Sequence, residues 1–272
     1  MTGSGTNSWL LGRGQVAVID PGPDDPGHVA AILGQLAPGE EVAAILVTHA
    51  HLDHTALVPR LAAATGAPVH AFGRAGDGRS ALMQRLAAEG LKGGGEGVDT
   101  AFAPDRLLAD GDVLSLGNLS VEVLHTPGHM GGHLAFACEG WLFSGDHAMG
   151  WASSLVSPPD GDMGAYMASL ERLATRTWAQ MLPGHGDAVP EPGRRLAELA
   201  SHRRTREAQV RAALAQAPAT AAELAARIYH DTPPALLPAA SRNVLAHLID
   251  LSERNLAVPE GEIAATTRFS PP

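Results

Sequence analysis

The 272-residue sequence predicts an α/β domain, with strands and helices in layers, followed by a small helical domain. Three observations predict it. Apolar runs of strand length alternate with helically spaced segments through the first third of the chain, as parallel α/β layers do. A proline-rich stretch at 188–193 separates residues 1–190 from residues 191–272. Beyond it the chain becomes helix-rich and its charge changes sign. Residues 1–193 carry 9 Arg/Lys against 21 Asp/Glu, whereas residues 194–272 carry 10 Arg against 8 Asp/Glu.

Each element has its own reason. "WLLGRGQVAVIDPG" reads as two short strands joined by a glycine turn and ended by Asp20-Pro21-Gly22. "HVAAILGQLA" (28–37) has helical spacing, and "EVAAILVTHA" is a continuous apolar run, as expected of a strand buried on both faces. "TALVPRLAAATG" predicts a helix closed by Gly66, and "APVHAF" the next strand. "RSALMQRLAAEG" predicts a helix, and the glycine-rich "GLKGGGEGVD" a mobile edge of a site. "DGDVLSLGNLSVEVLHTPGH" predicts two strands about a turn, and "HLAFACEGWLFSGD" a hairpin with Glu139-Gly140 at its tip. The helix "GAYMASLERLATR" then leads to the strand "WAQMLPGHGD". In the second unit, "RRLAELASHRRTREAQVRAALAQ", "TAAELAARIY" and "SRNVLAHLIDLSERN" predict three helices, and "LAVPEGEIAATTRF" a hairpin. Three helices closed by a short hairpin form a winged-helix pattern.

Composition narrows the function. At 45% hydrophobic residues the chain can bury a substantial core. Its charged set holds eighteen arginines but one lysine, Lys92, which reads as a base-composition bias. The single cysteine, Cys138, excludes an internal disulfide and a cysteine-rich zinc site, and its apolar setting predicts a buried thiol. No targeting signal and no membrane-spanning apolar run stand in the sequence, so a cytoplasmic protein with no membrane partner is expected. The acidic larger unit is a poor non-specific nucleic-acid binder by itself, because phosphate attraction needs a basic footprint.

The chemistry sits at predicted strand ends. "HAHLDH" supplies His49, His51, Asp53 and His54; "TPGH" ends at His129, "SGD" at Asp146 and "PGH" at His185. Neutral imidazole and carboxylate are zinc-ligand types. His49 and His51, two apart in an extended segment, project to one side and can grip one ion; Asp53 and His54 follow where the chain turns and can face a second. Seven ligands exceed the needs of one tetrahedral ion, but suit two ions sharing a carboxylate and a water. A lone "HxH" or "PGH" is an ordinary sequence; four such motifs together are not.

These motifs resemble those of metallo-β-lactamase-fold hydrolases, over residues 3–190. The resemblance implies an αββα sandwich with a dinuclear centre: His49, His51 and His129 on the first ion, Asp53, His54 and His185 on the second, and Asp146 bridging. "TNSWLLG", "VIDPG", "FSGD", "PGHGD" and the tail from "HRRTREAQV" onward resemble, more narrowly, the β-lactamase-like protein 2 group, which adds a C-terminal winged-helix-like domain. Three features depart from the pattern. Met130 stands where the family carries a threonine, His133 competes with His129 as a ligand and is assigned a structural role, and the sequence begins almost on "GTN", ahead of which the family carries a strand that is here either trimmed or absent.

The expected activity is hydrolysis by a metal-bridging hydroxide, on an ester, thioester or lactone-type small substrate. The expected cofactors are two divalent metal ions, Zn2+ first, with Fe or Mn as alternatives. Asp53 is the candidate catalytic residue, orienting the hydroxide and passing its proton to the leaving group. Relatives that open β-lactams place a cysteine or histidine where Asp146 is expected, which argues against antibiotic hydrolysis. The alternative function is a metal-dependent endoribonuclease with RNA as its partner. For it, Arg194, Arg195, His202, Arg203, Arg204 and Arg206 are the candidate phosphate-binding cluster, weighed against a solvated helix face. A winged-helix regulator is the third reading, but "SRNVLAHLIDLSERN" offers only Arg242 and Arg254 as bases, and Val244, Leu245, Leu248 and Leu251 read as core. That domain is expected to cover one side of the cleft or to mediate a homodimer. His28, His70, His125, His147, His230 and His247 default to structural or surface roles, with His147, next to Asp146, expected to line the cleft.

Overall fold

The computed structural model describes residues 5–94 and 97–272; of the "GLKGGGEGVD" loop, Gly95 and Glu96 lie outside the described residues. Strands β1 (Trp9–Arg13) and β2 (Gln15–Ile19) form the opening hairpin. Helix α1 (Pro26–Gly34) starts at Asp25, whose carboxylate accepts from the Gly27 amide, and leads to β3 (Glu41–Leu46). After the single turn α2 (Leu52–Thr55), α3 (Val58–Thr65) stops at Gly66 in the left-handed conformation (φ 71°) and is followed by β4 (Val69–Ala71). Helix α4 (Ala81–Ala88) is capped by Ser80, and β5 (Arg106–Leu107) closes the first sheet, in the order β1-β2-β3-β4-β5. From β2 to β5 its strands run parallel.

The second sheet is mostly antiparallel. It comprises β6 (Val113–Leu116), β7 (Leu119–His125), β8 (Leu134–Cys138) and β9 (Trp141–Gly145), with β10 (Gln180–Pro183) added parallel to β9 after helix α5 (Met163–Ala174). Alternation along each strand assigns its side chains to layers. Ala17, Ile19, Ala44 and Leu46 face Val121, Val123, Phe136 and Phe143 between the two sheets, with Cys138 buried among them. Val18, Ile45 and Val47 point the other way, onto Ile32, Leu57 and Leu61 beside α1 and α3. On the far side, Leu124, Ala135, Leu142 and Met181 meet Tyr166, Leu170 and Leu173 of α5. The result is helices, sheet, sheet, helices: the expected αββα sandwich.

Helix α6 (Pro192–Leu214) packs its Leu196 and Leu199 into that outer layer, then carries the chain to β11 (Ala219–Thr220) and α7 (Ala221–Ile228), which opens with a Thr220/Glu223 capping box. Helix α8 (Leu237–Glu253), β12 (Val258–Pro259) and β13 (Arg268–Ser270) complete a winged helix whose three strands pair in the order β11-β13-β12. Val244, Leu245, Leu248 and Leu251 are buried in its core, as their spacing predicts. Met83, Leu86 and Leu91 of the first unit lie in the same cluster, so the winged helix shares apolar surface with the sandwich. Among the described residues, no helix is long and apolar enough to cross a membrane.

Candidate metal centre

Five candidate ligands follow the C-terminal end of a strand: His49 and His51 after β3, His129 after β7, Asp146 after β9 and His185 after β10; Asp53 and His54 lie in α2. His51 is still extended (φ −96°, ψ 145°), and the turn into α2 then swings Asp53 and His54 to a different side. Two glycines allow the close approach. At Gly128 (φ +144°) a Cβ would fall 2.3 Å from the Tyr166 Cα, and at Gly184 a Cβ would fall 2.4 Å from Asp146 Oδ1.

All seven side chains converge. His51 Nδ1 lies 2.9 Å from His49 Nε2 and 3.1 Å from His129 Nε2. Asp53, His54 and His185 form a second group; His185 Nε2 is 3.2 Å from both Asp53 Oδ2 and Asp146 Oδ2. Asp146 stands between the groups, with Oδ1 3.5 Å from His54 Nε2 and Oδ2 3.9 Å from His129 Nε2.

The ring nitrogens turned outward show where protons sit. Nδ1–H of His129 donates to the Leu155 carbonyl (2.6 Å), that of His185 to the Gly5 carbonyl (2.9 Å), and that of His54 to Asp20 Oδ2 (2.9 Å). Thr48 Oγ1 donates to Asp20 Oδ2 (2.7 Å) and therefore accepts from His49 Nδ1–H (2.9 Å). In the neutral form each of these four rings aims an Nε2 lone pair inward, the arrangement that prepares imidazole for a cation. Buried His54 Nε2 and Asp146 Oδ1 have no hydrogen-bond partner, although buried polar atoms ordinarily have one. Imidazole with carboxylate suits Zn, Fe or Mn, so the residues present fit a pair of divalent ions.

The electrostatics divide the centre. Burial, reinforced by neighbouring imidazoles, holds His49 well below its usual range and His51 at about 3. Burial would also lower His185, but the Asp146 and Asp53 carboxylates reverse this and raise it to about 10; His54 is raised in the same way by Asp146 and Asp20. Burial would raise Asp53, but its hydrogen bond to His185 and the His54 charge bring it to about 2. The His49–His51 side is proton-poor, whereas on the other side the carboxylates hold protons on His54 and His185. A cation answers both: it takes up imidazole lone pairs and replaces protons beside carboxylates.

Several supporting residues escaped the sequence reading. Asp20, in the left-handed conformation (φ 51°) and buried, accepts from the Thr48 amide (2.8 Å) as well as from the Thr48 hydroxyl and His54. Its "DPG" reads as a turn, yet its place at a strand end is the signal most of the ligands share. His133 lies outside the converging nitrogens: its Nδ1 pairs with Thr126 Oγ1 (2.9 Å) and its Nε2 accepts from the Asp146 amide (3.2 Å). Met130 is packed in the apolar layer.

Two expectations need correction. His147 does not line the cleft; it lies in the turn after β9, its amide bonded to the Ser144 carbonyl, and its ring is fully buried 4.7 Å from the Tyr166 ring. The arginine cluster is not one surface. Arg194 pairs with Glu198 and Glu191, Arg204 with Glu171, Arg195 holds the Met149 and Ala152 carbonyls, and Arg203 is 2% exposed. On α8, Arg254 pairs with Glu207 and Asp250, and Arg242 donates to Ser157 Oγ (2.8 Å) and the Pro158 carbonyl.

Comparison with known proteins agrees with this architecture. The family model of the metallo-β-lactamase superfamily matches residues 1–185, and that of the β-lactamase-associated winged helix domain matches residues 220–265. The chain is 32% identical to the β-lactamase-like protein 2 homolog of Drosophila melanogaster, over 93% of this chain and 84% of that one. It is 30% identical to an atrochrysone carboxyl ACP thioesterase of Aspergillus chevalieri, covering 77% of this chain but only 60% of the relative. Among solved structures, a β-lactamase domain protein from Burkholderia ambifaria superposes with a TM-score of 0.78 at 26% identity, over 98% of this chain and 87% of that one. TTHA1623, solved in a di-iron-bound form, matches with a TM-score of 0.51 at 30% identity, over 72% and 92% of the respective chains.

Proposed function

The chain belongs to the metallo-β-lactamase superfamily, and on that premise we propose that it is a dinuclear metal-dependent hydrolase of small ester, thioester or lactone substrates. His49, His51 and His129 would hold one ion and Asp53, His54 and His185 the other, with Asp146 standing between the two groups. The observation that carries this reading is the set of four imidazoles whose outer nitrogens are engaged and whose inner nitrogens converge around Asp146. Zinc is the native pair in this reading, with iron and manganese compatible with the same donors. When bound, such ions ionise a water near neutral pH and draw off the charge that develops on the substrate carbonyl.

The chain's own residues supply the rest. Asp53 is the most exposed carboxylate of the centre, its side chain 30% accessible against 11% for Asp146, and it is ionised at neutral pH. It can therefore accept the proton of an attacking water and deliver it to a leaving alkoxide or thiolate. His185, its Nδ1–H held by the Gly5 carbonyl, would fix the ion that Asp53 also faces. Val98, whose backbone bridges to His51, also lines an open cleft of about 620 Å³ with Arg74, Arg79, Thr100 and Asp160, and none of the seven candidate ligands lines that cleft. A thioesterase among the relatives supports this substrate class. The ribonuclease alternative draws less support, since most of the cluster arginines are committed within the chain.

The test is direct. Purified protein of measured metal content is assayed side by side on a thioester, ester and lactone panel and on single-stranded RNA, with Asp53→Ala as control. Turnover of an acyl substrate that disappears in the control supports the proposal. RNA cleavage dependent on Asp53, with no acyl turnover, replaces it by the nuclease reading.

A further inference from the structure

The carbonyl that orients His129 belongs to Leu155, in a segment (154–157) without regular secondary structure. A loop carbonyl points where its flanking residues are held, and here both flanks are held by helices that follow the sandwich. The Ser154 carbonyl accepts from Nη2 of Arg203 on α6. The Val156 amide donates to Oδ1 of Asn243 on α8 (3.0 Å), and Arg203 Nη1 donates to the same oxygen (3.0 Å). On its inner side, Ser154 Oγ donates to the carbonyls of Asp146 and His147. One short loop thus connects α6 and α8 to a ring nitrogen of His129 and to the main chain of Asp146.

Arg203 is an unusual residue for a packing role. It is 2% exposed, its guanidinium lies 5.0 Å from the Tyr166 ring centre, and among the described residues no carboxylate forms an ion pair with it. Taking a cation out of water without a counter-ion is strongly unfavourable, and an apolar side chain would fill the same space at lower cost. What an apolar side chain cannot do is hold the Ser154 carbonyl and the Asn243 amide oxygen at once.

We propose that Arg203 and Asn243 are positioning residues of the metal centre, which fix the Leu155 carbonyl and through it the His129 imidazole. The helices beyond residue 190 are then part of the site's construction. This rests on the reading that His49, His51 and His129 bind an ion.

The test measures zinc affinity of the full chain by competition with a chromophoric chelator, with the visible spectrum of the cobalt-loaded protein and its melting temperature alongside. Arg203→Lys keeps the charge but not the fork, Asn243→Leu removes the shared acceptor, and Asn243→Asp retains it. A group bonded directly to a metal-ligating imidazole changes affinity by about 10–100-fold; Arg203 and Asn243 act one bond further out, so Arg203→Lys and Asn243→Leu are expected to weaken one ion by about 10-fold, with an altered cobalt spectrum. Asn243→Asp keeps the acceptor but loses the Nδ2–H donated to the Ala239 carbonyl, and is expected to bind zinc more tightly than Asn243→Leu, with a cobalt spectrum nearer wild type. Leu214→Ala, in the winged-helix core, is the control: it lowers the melting temperature and leaves zinc affinity unchanged. If Arg203→Lys behaves like Leu214→Ala, the positioning role is overturned, and this holds even if Asn243→Leu fails to fold. A wild-type protein that binds no zinc, iron or manganese overturns the proposed function, and this inference with it; two bound ions with an indifferent Arg203→Lys overturn this inference alone.

Discussion

Replacing Asp20 by asparagine isolates the control of imidazole tautomers. Asparagine tolerates the left-handed backbone that Asp20 adopts, so the change adds no strain there. Three donors meet the two carboxylate oxygens: the Thr48 amide at Oδ1, and the Thr48 hydroxyl and His54 Nδ1–H at Oδ2. An amide has one acceptor oxygen and an NH2 with two donors, so either orientation sets a donor against a donor; the Thr48 main-chain N–H cannot reverse its role, whereas the hydroxyl and the imidazole can, so the oxygen is held by that N–H. With its oxygen toward the Thr48 amide, its NH2 faces His54 Nδ1, and the ring relieves the conflict by moving its proton to Nε2, the atom aimed at Asp146 and Asp53. The Thr48 hydroxyl is also turned from its role as acceptor for His49. A hydrogen bond to a charged group contributes about 1.5–3 kcal/mol. At about 1.4 kcal/mol per decade, its loss weakens metal binding by roughly 10–100-fold. Chelator competition measures this, and far-ultraviolet circular dichroism confirms the fold. Wild-type metal affinity in a folded Asp20→Asn protein would refute the argument that Asp20 sets these tautomers.

Three further outcomes are expected. Gly184→Ala drives a methyl against Asp146 Oδ1 and the His54 ring, so metal content measured by elemental analysis should fall below that of wild type while the winged helix, remote from the clash, keeps its helical signal. Stripping the metals with a chelator should lower the melting temperature: an ion present at 100 times its Kd stabilises the fold by about 2.7 kcal/mol, or about 5–10 °C for a chain of this size, and calorimetry before and after zinc is restored measures it. His247, buried with Arg203, Arg254 and His202 adding repulsion, is held at about 3 when folded, whereas its ordinary value is 6.5. Between those values the unfolded chain takes up a proton that the folded chain refuses, so stability falls as pH drops below 6.5, by at most about 1.4 kcal/mol per pH unit. Comparing wild type with His247→Leu in urea at pH 7.5 and pH 5 isolates this loss, since the variant lacks only that share of the decline.

The ligands were legible because their pattern is local. His49, His51, Asp53 and His54 lie within six residues, and His129, Asp146 and His185 each follow a glycine within four residues of a strand end, so chemical type and short spacing suffice. What holds the ligands was largely not legible, because it is set by contacts across the fold. Asp20 lies 34 residues from His54, and Leu155 lies 26 residues from His129. Distance in sequence is not the whole reason, though. Arg203, Arg204 and Arg206 are neighbours in sequence, but adjacency says little on a helix. Leu196, Leu199, Ala200 and Arg203 fall at i, i+3, i+4 and i+7, on the buried stripe of α6, while Arg204 and Arg206 lie off it. His147, in the turn after β9, is likewise adjacent to a ligand yet buried away from the site. For Arg203 the periodicity that located the helix also assigned the side chain to a face. A cation on an apolar stripe is evidence about the layer beneath a site, and here that layer reaches from α6 and α8 to His129.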